Sequence, residues 1–157
     1  RAASGARDLP LDGAMLAAKY AAPMMKAQKA GAMIFTSSTA GLHGFPYRAP
    51  YVAAKWGLIG LTKTLAMELG PYGVRANAIC PGSVNGPRID RVIEAEATAK
   101  GMTADAVRQG YAAGTALKRL SDPADVADMA LFLASDGAKM ITGQALAVDG
   151  FTYNVDP

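Results

Sequence analysis

The feature that most constrains the fold of this chain is an alternation of short apolar segments with longer helical patterns. Apolar residues recur at helical spacing over residues 11–29 and 51–69, and a third amphipathic stretch follows Ser121-Asp122-Pro123, a typical capped helix start. The short apolar runs at 32–36, 74–80 and 145–148 are typical of buried strands. This alternation predicts an α/β fold in which crossover helices join parallel strands.

Length and composition place these elements in one domain, residues 1–157, with a substantial core. Hydrophobic residues make up 51% of the chain and charged residues 18%. No apolar run reaches the roughly 18–20 residues of a membrane helix, so we expect no membrane association. The 16 basic residues are scattered rather than clustered, which argues against nucleic acid as a partner.

Cysteine usage indicates a reducing compartment. Cys80 is the single cysteine and cannot form an internal disulfide. No Cys/His cluster has metal-ligand spacing, so no metal site is expected. We therefore expect a cytoplasmic protein.

The predicted topology indicates where a ligand would bind. In parallel sheets, ligands bind beyond the carboxyl ends of the strands. Those ends are Ser37-Ser38, Pro81-Gly82 and Asp149-Gly150. Residues 83–120 form a long polar insertion with one or two short helices, which is typical of a lid or substrate loop.

Tyr51 and Lys55 are the residue pair most typical of proton-transfer chemistry. Their spacing of four places both side chains on one face at the start of a helix. An ordinary phenol has a pKa of about 10, and a neighbouring ammonium group favours its phenolate form. Ser38, at the end of the preceding strand, is positioned to hold a carbonyl or hydroxyl group against the phenol. Helices also use such pairs structurally, so spacing alone does not decide between the two interpretations.

Several motifs in order resemble the short-chain dehydrogenase/reductase family. They are Thr-Ser-Ser-Thr-Ala-Gly at 36–41, Tyr-Val-Ala-Ala-Lys at 51–55, Gly-Val-Arg-Ala-Asn-Ala-Ile-Cys-Pro-Gly at 73–82 and Thr-Gly-Gln-Ala-Leu-Ala-Val-Asp-Gly at 142–150. The resemblance runs from about residue 11 to residue 150. It implies a partial Rossmann-like, doubly wound parallel sheet, comprising the last three strands of that fold with their flanking helices.

The resemblance also assigns catalytic roles. Tyr51 matches the family's general acid/base, and Lys55 matches the lysine that favours the phenolate and binds the nicotinamide ribose. Ser38, thirteen residues before Tyr51, matches the serine that hydrogen-bonds the substrate oxygen. Ser37 and Tyr47 fit the family spacing less well.

The implied reaction is hydride transfer between NAD or NADP and a small-molecule alcohol/carbonyl pair. Pro81, Gly82 and Val84 match the loop whose backbone meets the nicotinamide carboxamide. Family members commonly form homo-oligomers, dimers or tetramers, through the helix that carries Tyr51 and through the last helix and strand.

Two departures from the family pattern affect this expectation. The sequence contains no Gly-x-Gly, so the N-terminal dinucleotide-binding half, with its phosphate-binding turn, is expected to be absent from these residues. Pro10 stands where the family has a catalytic Asn, which leaves the proton relay without its amide. The 157 residues alone are therefore expected to show weak or no turnover. The alternative is a truncated, inactive half-domain that keeps the family's packing and oligomer surfaces.

Other polar residues have two open interpretations. Arg88, Asp90 and Arg91 begin the variable insertion and either contact a polar substrate or form a solvated helix face. His43 either lines the cleft or lies in a surface loop.

Overall fold

A three-stranded parallel sheet with helices packed against both of its faces forms the centre of the structure. The computed structural model describes residues 5–153, with side chains from residue 11 onward. The strands are β1 (Gly31–Thr36), β2 (Val74–Pro81) and β3 (Ala145–Val148), and the helices are α1 (Gly5–Gln28), α2 (Ala49–Leu69), α3 (Pro87–Lys100), α4 (Ala104–Ala113) and α5 (Pro123–Ala134).

The sheet order is β1-β2-β3, and both pairings are parallel. In register, Thr36 of β1 lies opposite Ile79 of β2, and Pro81 of β2 lies opposite Val148 of β3. The carboxyl ends of all three strands therefore lie along one edge. This arrangement confirms the predicted α/β fold with a parallel sheet and flanking helices.

Successive side chains of each strand point to opposite faces of the sheet, so each face has its own apolar core. Met33, Phe35 and Ala76 are buried against α1 and α2. On the other face, Ile79 packs with Leu133 of α5. Because helices cover both faces of the sheet, the strand sequences are continuous apolar runs rather than an alternation of apolar and polar residues.

A buried asparagine fixes the position of the third strand. Asn77 donates from Nδ2 to the Ile141 carbonyl at 2.8 Å, and its Oδ1 accepts from the Gln144 amide at 3.0 Å. Both bonds involve the segment just before β3. Leaving a buried backbone group without its partner costs about 1–3 kcal/mol, so Asn77 holds β3 beside β2.

The long insertion forms a helical hairpin beyond the sheet. Helices α3 and α4 bury Ile93, Ala97 and Val107 in a small core of their own. The hairpin follows directly after the Pro81-Gly82 strand end. The expectation of one or two short helices in this segment is confirmed.

The boundaries of the first helix differ from the periodicity-based ones. Helix α1 begins at Gly5 rather than at residue 11, and it ends at Gln28. Lys29 then adopts a left-handed conformation with φ 53°, whereas Gly31, expected to end the helix, is the first residue of β1. A Cβ at Gly31 would lie 2.8 Å from the Met25 sulfur, so the glycine leaves room for the Met25 side chain where β1 begins. The side chain of Pro10 lies outside the described residues.

Within residues 5–153, no helix is both long enough and apolar enough to cross a membrane.

Candidate active site

Two hydrogen bonds tie the predicted catalytic helix to the end of β1. Lys55 donates from Nζ to the Thr36 carbonyl at 2.9 Å, and Ser37 donates from Oγ to the Lys55 carbonyl at 2.8 Å. The two segments approach closely because residue 41 is glycine. A Cβ there would lie 2.6 Å from Ser37 Oγ and 2.9 Å from the Lys55 carbonyl oxygen.

Tyr51 lies one turn before Lys55, as the spacing predicts. The Lys55 ammonium nitrogen is 5.6 Å from the centroid of the Tyr51 ring, and the tyrosine is half-buried. Proline at the beginning of α2 suits the first turn of a helix, where a missing N–H costs nothing. The structure therefore brings the phenol and the ammonium group together on one helix face.

Ser38 lies where β1 ends, and its hydroxyl oxygen accepts from the Ala40 amide at 3.1 Å. This bond caps the short 3₁₀ turn Thr39–Gly41. The hydroxyl hydrogen finds no acceptor among residues 11–153. A serine held in this way remains free to donate to an oxygen of a bound molecule.

The loop after β2 lies beside the end of β3. The Gly82 amide donates to the Val148 carbonyl at 3.2 Å, and a Cβ at Gly82 would lie 2.8 Å from Asp149 Cβ. Glycine is therefore required here by close approach. The ends of β2 and β3 are in direct contact, as the sequence predicts for parallel strands.

Val84 presents backbone groups that the rest of the described chain leaves unused. It forms an isolated parallel bridge with Ser121, in which the Asn85 amide donates to the Ser121 carbonyl and the Ser121 amide donates to the Ser83 carbonyl. In this geometry the N–H and C=O of Val84 itself point away from Ser121. They form a donor and acceptor pair of the kind that a carboxamide requires, so this loop fits a nicotinamide.

Cys80 packs beneath these residues as a fully buried thiol. Burial raises the pKa of the Cys80 thiol, and polar contacts with the Ser38 backbone and the Ser37 side chain oppose this only in part. A buried thiol that stays protonated is a packing residue rather than a nucleophile.

The structure gives different surroundings to the three weaker candidates for the site, Ser37, Tyr47 and His43. Ser37 is buried, and its hydroxyl is used to hold the Lys55 carbonyl. Tyr47 is fully exposed in a left-handed conformation with φ 60°. His43 is also exposed.

The sequence leaves the role of Arg88 open, and the structure places its side chain beside Tyr51. Its guanidinium carbon is 5.9 Å from the centroid of the Tyr51 ring. Arg88 is the second residue of α3, so its position depends on how that helix folds back over α2. The sequence signal that points to it is its place just after the Pro81-Gly82 strand end.

A hydrogen-bond network attaches the hairpin to the loop that follows β2. Asn85 donates from Nδ2 to Asp122 Oδ1 at 2.7 Å and accepts from Arg108 at 3.2 Å. Arg108 also forms a salt bridge with Asp90 at the beginning of α3. The network fixes α3 and α4 beside the predicted cleft.

Comparison with known proteins shows the family to which the chain belongs. Residues 4–151 match the family model described as enoyl-(acyl carrier protein) reductase. Trans-4-hydroxycyclohexanecarboxylate dehydrogenase from Sinomonas cyclohexanicum is 44% identical over 143 residues, which cover 91% of this chain and 49% of that protein. The chain belongs to the short-chain dehydrogenase/reductase family.

Solved structures of this family superpose well on the chain. Sorbitol-6-phosphate 2-dehydrogenase SrlD from Erwinia amylovora matches with a TM-score of 0.88 and 31% identity, over 92% of this chain and 57% of that one. A 3-oxoacyl-[acyl-carrier protein] reductase with bound NAD from Brucella melitensis matches with a TM-score of 0.76 and 34% identity, over 94% and 50%. The chain thus spans about half the length of these short-chain dehydrogenases/reductases, a family that uses NAD or NADP.

Proposed function

We propose that this chain carries the catalytic residues of an NAD(P)-dependent oxidoreductase, which transfers a hydride between the nicotinamide and an alcohol/carbonyl substrate. The observation that carries the proposal is the grouping of Tyr51, Lys55 and Ser38 at the carboxyl edge of a parallel sheet. Ligands of such sheets bind at this edge.

Each of the three side chains has a distinct role. Ser38 donates its hydroxyl hydrogen to the substrate oxygen and holds that oxygen beside Tyr51. Tyr51 gives its phenolic proton to the oxygen during reduction and accepts a proton from it during oxidation. Lys55, positioned by the Thr36 carbonyl, stabilises the phenolate through its positive charge.

The nicotinamide supplies the carbon that donates or accepts the hydride. Lys55 would hold the nicotinamide ribose, and the free backbone groups of Val84, with Pro81 and Gly82 before it, would hold the carboxamide. The chain has no Gly-x-Gly turn for the phosphates. These residues therefore bind the nicotinamide half of NAD(P), and either NAD or NADP satisfies them.

The substrate is a small molecule with a secondary alcohol or carbonyl group. The names of two relatives denote substrates that also carry a negative charge, a hydroxycyclohexanecarboxylate and a sugar phosphate. We place the reaction in the cytoplasm, where a free thiol such as Cys80 is the usual state of cysteine.

An exposed apolar face on α1 and α2 supports self-association into a homo-oligomer. Tyr20 and Met24 of α1 are 70% and 65% exposed, and Trp56 and Met67 of α2 are 52% and 74% exposed. Exposed apolar residues grouped on neighbouring helices mark interaction surfaces. Sedimentation analysis is expected to show a dimer or tetramer, and Trp56→Glu is expected to weaken it.

The test of the proposed reaction is a comparison of two tyrosine variants. Tyr51→Phe is expected to lower carbonyl reduction by NADH or NADPH by about 100- to 10,000-fold. Tyr47→Phe, in a fully exposed loop, is the matched control and is expected to retain wild-type rates. Equal activity in both variants would contradict the role of Tyr51. The inactive half-domain predicts no cofactor oxidation by the wild-type chain with any carbonyl substrate.

A further inference from the structure

The geometry points to Arg88 as the residue that recognises an anionic group of the substrate, a carboxylate or phosphate a few bonds from the reacting carbon. This inference rests on the proposed function, because it takes Tyr51 as the position of the reacting oxygen. It assigns a charge to the substrate that the catalytic residues themselves do not require.

Arg88 and Lys55 place two positive charges beside the same aromatic ring. The guanidinium carbon of Arg88 is 5.9 Å from the Tyr51 ring centroid, and Lys55 Nζ is 5.6 Å from it. The two residues come from different helices, α3 and α2. Lys55 is held by a backbone carbonyl of β1, whereas Arg88 reaches the ring from the beginning of α3.

The turn into α3 determines this placement. Gly86 precedes the helix with φ 139°, a conformation that side-chain-bearing residues rarely adopt, and no atom would lie within 4 Å of a Cβ there. Pro87 then begins α3. The glycine redirects the chain after the Val84 bridge, and Arg88 consequently faces Tyr51.

The nearby carboxylates are engaged with other groups. Asp90 pairs with Arg108, Asp122 accepts from Asn85, and Asp149 accepts from the amides of the turn that follows it. Among the side chains of residues 11–153, the Arg88 guanidinium has no carboxylate partner. It lies over the Tyr51 ring, and no hydrogen bond to those residues uses its donors.

The chemistry of arginine indicates an oxyanion as its ligand. A guanidinium group has N–H donors and no acceptor, so its ligand is a group with acceptor oxygens. Its planar donors match carboxylates and phosphates with two parallel hydrogen bonds of about 2.7–2.9 Å. A substrate oxygen at the Tyr51 hydroxyl, about 2.6–3.2 Å away from it, then lies only a few bonds from a group bound by Arg88.

The test compares a charged substrate with its neutral analogue, a β-oxo acid with its methyl ester. Loss of charge-assisted hydrogen bonds weakens binding by about 10- to 100-fold. Arg88→Gln is therefore expected to raise KM for the acid about 10- to 100-fold and to leave the ester unchanged, while Arg88→Lys retains part of the preference. Arg91→Gln, an exposed arginine on the same helix, is the control and is expected to alter neither substrate.

An equal effect of Arg88→Gln on the acid and the ester would overturn the inference, because a residue that only covers the Tyr51 ring affects both. A β-oxo phosphonate in the same series distinguishes the two anions. A preference for it over the carboxylic acid identifies phosphate as the occupant, and a preference for the acid identifies carboxylate.

A binding measurement separates this inference from the proposed function. The β-oxo acid is titrated into the wild-type chain, Arg88→Gln and Arg91→Gln, with NMR chemical shifts as the readout and no turnover required. Binding that depends on Arg88 in a chain without turnover supports the anion-binding role of Arg88 and favours the inactive half-domain over the proposed function. Turnover of the ester and the acid with equal KM supports the proposed function and overturns the inference.

Discussion

The contact between Gly41 and α2 makes Gly41→Ala the sharpest structural test of how the site is held. An added Cβ would lie 2.6 Å from Ser37 Oγ, 2.9 Å from Ile59 Cδ1 and 2.9 Å from the Lys55 carbonyl oxygen. Each of these distances is shorter than carbon makes in folded proteins. One of the three neighbours is backbone, so a change of side-chain rotamer alone does not relieve the clash.

The cost has two parts. Overpacking a tight site costs about 1–3 kcal/mol, and loss of the hydrogen bond from Ser37 to Lys55 costs about 0.5–1.5 kcal/mol more. We expect Gly41→Ala to lower the free energy of unfolding by about 1.5–4.5 kcal/mol. At about 2–4 °C per kcal/mol for a domain of this size, Tm falls by roughly 3–18 °C.

Thermal and denaturant unfolding, followed by circular dichroism, measure this effect. Gly44→Ala is the matched control, since it lies in the same loop and its Cβ would have no neighbour within 4 Å. We expect Gly44→Ala to alter the free energy of unfolding by no more than about 0.5 kcal/mol. Equal stability of the two variants would refute the close approach of the Thr39–Gly41 turn to α2.

Two further predictions concern groups with shifted pKa values, the Cys80 thiol and the Asp125 carboxyl group. Because burial raises the pKa of the Cys80 thiol, we expect alkylating reagents to label Cys80 only as fast as the chain unfolds, and rapid labelling of the native chain would contradict its burial. The hydrogen bond from Arg119 holds the pKa of Asp125 below its ordinary value of 3.8. The stability that Asp125 contributes is therefore present above this value and is lost as pH falls through the lower folded-state pKa. The Tm of Asp125→Asn is expected to be lower than that of wild type at neutral pH, and this difference in Tm is expected to disappear in acid. A difference that persists in acid would exclude the ion pair with Arg119 as its cause.

The fold could be predicted from local patterns because each element carries its own signal. The strand at 145–148 agrees with β3 residue for residue, since a short apolar run between turn residues has few alternatives. The end of α1 was less predictable. Lys29, not a glycine, adopts the left-handed conformation there, while Gly31 lies against the Met25 side chain, which a Cβ would meet at 2.8 Å.

The candidate site was predictable only where one element carries it. Tyr51 and Lys55 are brought together by helix geometry alone, so their spacing was sufficient. Arg88 reaches Tyr51 through the turn at Gly86 and the packing of α3, which no local pattern encodes. The free backbone groups of Val84 likewise depend on its bridge to Ser121, a residue distant in the sequence.

The central claim is that the three strand ends and α2 bind the nicotinamide half of NAD(P). The most direct measurement is a fluorescence titration of the chain with NADH and with reduced nicotinamide mononucleotide, which lacks the adenosine half. We predict saturable binding of both with similar Kd, and a loss of about tenfold or more for both in Lys55→Met. Lys63→Met is the control, because Lys63 also lies on α2 and donates to a backbone carbonyl, that of Gly143 at 3.2 Å. Absence of saturable binding, or equal Kd in the two lysine variants, would contradict the claim.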